Sequence, residues 1–124
     1  MNKRELGEQR LKDVLGEKAL EIINQRLGAI SPDFANYIVE FTYGELYARR
    51  GLTDKSKELA AVTSLLAQHI FGLPLRSHFI GMINVGWQKE EIIELLIFLM
   101  NYLGAPTIVE AFVVLAETLK EAID

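Results

Sequence analysis

The chain has no cysteine, only two histidines, three prolines and one tryptophan in 124 residues. The missing thiols exclude disulfides, thiolate nucleophiles, thiolate metal sites and thiol redox relays. No glycine-rich phosphate loop is present, and Lys and Arg form no cluster larger than Arg49-Arg50 in a chain of net charge −4. A nucleic-acid partner is therefore not expected, because phosphate binding needs a basic footprint. The longest strongly apolar stretch, Ile92 to Leu103, is broken by Glu94 and Asn101 and falls short of the ~20 residues that span a bilayer. It reads as a buried core helix, and no membrane partner is expected. The N-terminus MNKRELGEQRLKDVLGEK alternates charged with apolar residues and lacks the continuous apolar run of a secretory signal, so a cytoplasmic location is expected.

What the chain does have is apolar surface: half of its residues are apolar, 24% are charged and the mean hydropathy is +0.17. Such a composition folds, and the length suits one domain over residues 1–124. Periodicity is helical almost throughout, with no convincing strict alternation, which predicts an all-α domain of about six to seven helices. The first covers about residues 3 to 15; Gly16 separates it from a second at 17 to 27, ending near Gly28. Ser31-Pro32-Asp33 combines an N-cap, a first-turn proline and a dipole-favoured acid, and opens a third helix toward Arg49 with a bend at Gly44. Thr53-Asp54 opens a fourth, to about Ile70. Gly72 and Pro74 make a corner before a fifth that ends at Gly86, so that these two form a central hairpin. A sixth helix, about 88 to 103, is apolar on nearly every face and is expected to have no solvent side. Gly104 and Pro106 separate it from a seventh, about 106 to 122. So much apolar surface on a small domain predicts a homo-oligomer.

Few residues can carry chemistry. Glu58, Val62, Leu65 and His69 lie on one stripe of the fourth helix, and His78 sits about one turn into the next, on the side that the hairpin could turn toward Glu58. A buried carboxylate beside an imidazole makes an acid/base pair, whereas a lone histidine on an apolar helix face is more often a hydrogen-bonded core residue, and the spacing leaves both open. Arg76 stands two residues, or roughly 200°, from His78 if both are helical, with Ile80 and Ile83 on its side; anion binding and a subunit ion pair both suit it. Tyr43, Tyr47 and Tyr102 could line a pocket or an interface. No metal site is predicted.

The stretches YGELYARRGLTDKSKELAAVTSLLA, LRSHFIGMINVGWQKEEIIELL and NYLGAPTIVEAF, in this order, resemble the carboxymuconolactone decarboxylase family over about residues 31 to 116. The family pattern is a YG…Y.R.GL segment, a helix with an early Glu, an R.H helix start, an N.G corner with an acidic helix entry, and a Y.G.P turn. The resemblance implies an alkyl-hydroperoxidase-D-like fold assembled as a trimer or hexamer. One branch of the family carries a CxxC pair before its histidine. Here those positions hold Phe71 and Pro74, which excludes thiol peroxidase and disulfide reductase activity. The other branch decarboxylates 4-carboxymuconolactone, in aromatic catabolism, without a cofactor: electrons left by CO2 flow toward the lactone carbonyl and a carbon is protonated.

By this resemblance His78 is the proton donor or electrostatic partner, Glu58 its orienter or relay, and Arg76 and Tyr102 bind substrate. Arg76 would clamp a carboxylate that is retained, since holding the leaving one would stabilise the ground state. Ile80 and Phe98 stand where the family often has arginine and glutamine, which points to a substrate smaller or more apolar than a dicarboxylate lactone, or to none at all. The expected function is a cofactor-free carboxy-lyase acting on a lactone or other small organic acid. Another small-molecule enzyme, or a non-catalytic oligomeric binding protein, are the alternatives on this scaffold.

Overall fold

The computed structural model describes residues 1–123, with side chains described for 1–120. Among the described residues all regular structure is helical, in seven helices: α1 (Lys3–Leu15), α2 (17–30), α3 (32–46), α4 (Asp54–Ala67), α5 (Leu73–Asn84), α6 (Lys89–Leu103) and α7 (Ala105–Ile123). This is the all-α architecture of six to seven helices that the periodicity predicts. None is long and apolar enough to cross a membrane.

Local chemistry sets most of the boundaries. The Asn2 side chain accepts the Glu5 N–H to open α1, and Ser31 accepts the Phe34 N–H, with Pro32 in the first turn, to open α3. Gln88 and Glu91 form a reciprocal capping box at the start of α6. Gly16 and Gly104, both at positive φ, end α1 and α6. Four boundaries differ from the sequence reading. Gly28 is itself helical, so α2 continues to Ile30. His69 takes a left-handed conformation at φ 59°, so α4 stops at Ala67 instead of Ile70. Helix α5 ends at Asn84, two residues before Gly86, and α7 starts at Ala105. In place of a bend at Gly44, residues 38–46 of α3 open into wider π-helical turns, with the Tyr47 N–H reaching Thr42 O at 2.9 Å.

The chain divides into two compact units, Met1–Asp54 and the part from Lys55 onward. In the first, α1 lies directly against the π-helical half of α3. A Cβ on Gly7 would sit 2.0 Å from Val39 O, and one on Gly44 2.7 Å from Lys3 O, so two glycines permit this backbone approach. Arg4 joins three helices, donating to Glu8, Asn24 and Asn36 at 2.8 Å each. Arg10 donates to Asp54 and to Tyr47 O; the hydrogen bond to Asp54 raises its pKa further, keeping it cationic.

In the second unit, Val62 and Leu66 of α4, Leu75, Phe79 and Met82 of α5, and the inward residues of α6 and α7 form one core. The backbones of α5 and α6 approach α7 most closely. Helix α4 meets α5 through side chains, so the hairpin is less tight than its short corner suggests. The start of α4 is tied to the α5–α6 turn by Trp87, whose indole N–H donates to Lys55 O at 3.0 Å beneath the Lys55 ammonium. Helix α6 corrects one expectation: Ile92, Leu96 and Leu99 are buried, but Ile97, Phe98 and Met100 stand exposed on the single chain.

The close approach at Gly7 has a measurable consequence. Gly7→Ala should lower stability by about 3 kcal/mol or more, because the methyl group meets backbone, which cannot rotate away. Gly51→Ala, where a Cβ meets nothing within 4 Å, should stay within about 0.5 kcal/mol of the parent. Thermal or denaturant melts of the two variants check both values.

Candidate functional site

The early turns of α4 and α5 bring two titratable side chains together. On α4, Glu58, Val62 and Leu66 repeat at i, i+4 and i+8, which turns all three to the buried side of the helix. On α5, Leu75, Phe79 and Met82 form the inward stripe and His78 flanks it. The carboxylate of Glu58 and the ring of His78 meet at 2.7 Å between Oε1 and Nδ1.

Burial divides the pair unequally. The Glu58 side chain is 0% exposed and that of His78 is 16% exposed. Among the described residues Glu58 is the one charged side chain in the fully buried set, whose other polar members are Thr107 and Thr118. Burying a lone carboxylate costs several kcal/mol, so its partner matters to folding as well as to chemistry. An ionised carboxylate only accepts, so Nδ1–H of His78 donates to Glu58. That bond selects the tautomer and leaves Nε2, on the other side of the ring, without a hydrogen-bond partner among the described residues. The arrangement can hold the ring in one orientation and present one nitrogen for proton transfer.

The remaining candidates lie apart from this pair. Helix α5 runs regularly through Arg76 and His78, so the two side chains leave it about 200° apart. Arg76 is half-buried and has no side-chain hydrogen bond or ion pair among the described residues. Tyr102, 70% exposed, packs its ring 5.7 Å from that of Phe98 near the end of α6, and makes no hydrogen bond or ring contact with the pair. His69 lies beyond the end of α4, exposed, near the Phe71 ring. Tyr43 and Tyr47 stack on each other at 4.5 Å within the first unit. Among the described residues no three acidic or imidazole side chains converge as a metal site requires.

The sequence reading missed one feature, an apolar groove of about 450 Å³ lined by residues of α7 and by Met100. Its signal was present: Ala105, Val109, Val113 and Ala116 form a second apolar stripe on α7, beside the one made by Ile108, Ala111 and Leu115 that enters the core. The groove shares no lining residue with the Glu58–His78 pair.

Residues 32–117 match the carboxymuconolactone decarboxylase family. The chain is 34% identical over 96 residues to a 4-carboxymuconolactone decarboxylase of Acinetobacter baylyi, covering 76% of this chain and 69% of that protein. It is also 29% identical over 113 residues to the nitrosuccinic acid decarboxylase npaB of Metarhizium robertsii, covering 91% of this chain and 78% of that protein. With the family match spanning both Glu58 and His78, and with no cysteine for the thiol chemistry that a CxxC pair performs, this all-helical chain belongs to the carboxymuconolactone decarboxylase family.

Proposed function

We propose that this protein is a cofactor-free decarboxylase of a small organic acid, with His78 as proton donor and Glu58 as the group that orients and charges it. The observation that carries the reading is the buried 2.7 Å bond from Nδ1 to Glu58, which leaves Nε2 as the ring nitrogen that can face a substrate. In the reaction the bond between the acidic carbon and its carboxylate breaks and CO2 leaves. The electron pair passes into an acceptor group of the substrate, and Nε2–H delivers a proton to carbon. Solvent then restores the proton, so each turnover converts one carboxylate and one proton into CO2 and the protonated carbon product. A positioned acid of this kind contributes about 10²–10⁴-fold.

The two relatives narrow the substrate class. Nitrosuccinic acid and 4-carboxymuconolactone differ in their electron acceptor, a nitro group in one and an unsaturated lactone in the other. As molecules they share a carboxyl on a carbon that also bears a carboxymethyl arm. The substrate of this reading is therefore a 2-substituted succinate whose substituent, or the ring that contains it, accepts the electron pair. The smaller of the two acids suits a chain with Ile80 and Phe98 at positions where the family often has polar groups.

Incubation with each acid, following CO2 release, is the direct test; failure to turn over either would overturn the reading. Glu58→Gln and His78→Gln should each lower turnover by about 10²-fold or more. Stability separates catalysis from packing. Glu58→Gln removes a buried charge and should stay within about 1 kcal/mol of the parent, whereas His78→Ala takes the imidazole from a carboxylate that stays buried and should cost about 3–5 kcal/mol. Full activity in folded Glu58→Gln would reduce the pair to a packing element.

The reading includes self-association. Ile97, Phe98, Met100, Tyr102, Val109 and Val113 are exposed large apolar side chains of α6 and α7, and such patches are rare on monomers. Sedimentation at micromolar concentration should find a species heavier than the 14.0 kDa chain, and Phe98→Glu with Val113→Glu should reduce it to the monomer.

A further inference from the structure

We propose that an aromatic row on α3 of one copy of this chain seats in the apolar groove along α7 of a second copy, so that subunits join head to tail through two different faces. The inference rests on the self-association in the reading above and names the surfaces that meet. It starts from α3, which buries Ala35, Val39 and Tyr43 on its inner side. Phe34, Tyr37 and Phe41 stand on the outside instead, 49%, 68% and 52% exposed. Aromatic side chains bury ~150–250 Å² each, so at these exposures the row offers roughly 300 Å² of uncovered ring surface. A patch of that size is as large as monomers ordinarily carry, and this chain has a second one on α6 and α7.

The two patches differ in shape. The groove is a hollow of about 450 Å³ beside Met100, between Ala105 and Ala116, with Val109 and Val113 60% and 50% exposed. A helix entering such a groove anchors itself through side chains at i, i+3 and i+7, the spacing of Phe34, Tyr37 and Phe41. Two-fold pairing of α7 with itself fits less well. It would set valine and alanine against valine and alanine across a hollow, where unfilled space forfeits contacts, and it would leave the α3 row in water. Head-to-tail joining fills the hollow with rings and covers both patches with one kind of contact, each subunit using its row once and its groove once. The rings then form the dry centre of the interface. The Tyr37 hydroxyl turns to the wet rim, which completes the ~800 Å² that each partner of a stable pair contributes.

Two variants, each altered only at exposed positions, separate the faces. Phe34→Glu with Phe41→Glu removes the row and keeps the groove, whereas Val109→Glu with Val113→Glu removes the groove and keeps the row. Each alone should sediment as a 14.0 kDa monomer at concentrations where the parent is heavier, with the parent's helical circular dichroism. When the two are mixed, one row and one groove remain to meet, and the pair should re-form between unlike chains. With nitrogen-15 in the groove variant, adding the row variant should shift amide signals of residues 34–41. With the label in the row variant, signals of residues 105–116 should shift instead. Two misfolded chains would produce neither pattern. A row variant that assembles as the parent does overturns the inference and leaves self-association standing, as does a mixture in which neither set of signals moves at millimolar concentration. A parent that sediments as a monomer overturns both the self-association and this pairing.

Discussion

One fully buried carboxylate organises the second unit of this protein. A charge without water is tolerated only when a partner and a fixed geometry compensate it. Glu58 therefore constrains more than its own position: α5 must begin where His78 reaches Oε1. The same two helices carry the apolar core residues Val62 and Leu66 on α4 and Leu75, Phe79 and Met82 on α5. The dryness that makes the pair costly to bury also makes its bond strong and its ring orientation definite.

The two units solve the packing problem differently. In the first, α1 and α3 approach backbone to backbone at Gly7 and Gly44, and polar side chains such as Arg4 and Arg10 tie the helices together. The wider turns of residues 38–46 belong to this close crossing, which places Tyr43 in the interior against Tyr47. In the second, nearly every inward contact is between hydrocarbon side chains, and the polar exceptions are Glu58 and two threonines. The outer apolar face of α6 and α7 lies on this same unit, with its groove between side chains too apolar to recognise a small polar acid.

Much of this was legible in the linear chain. Seven helices follow from the 3.6-residue recurrence of apolar side chains, from Ser31-Pro32 and from Gly16 and Gly104, because caps and breakers act within a few residues. The absence of cysteine settled which branch of the family's chemistry is unavailable, since it concerns the atoms present and not their arrangement. The order of motifs through Glu58, His78 and the Tyr102 turn was enough to mark the family.

Other features depended on contacts between distant residues. Nothing local says that α4 stops at Ala67, that α3 widens at residue 38, or that the face of α6 carrying Phe98 stands uncovered on a single chain. Period and spacing placed Glu58 and His78 on faces that could meet, and left a packing histidine as the commoner alternative. Only the tertiary structure brought Oε1 and Nδ1 to 2.7 Å and closed the carboxylate off from water, and only the regular course of α5 set Arg76 on a different side from His78. The physical reason is that helical periodicity fixes directions around one axis, whereas a hydrogen bond between helices also requires their separation and register, which are decided by how whole side chains pack.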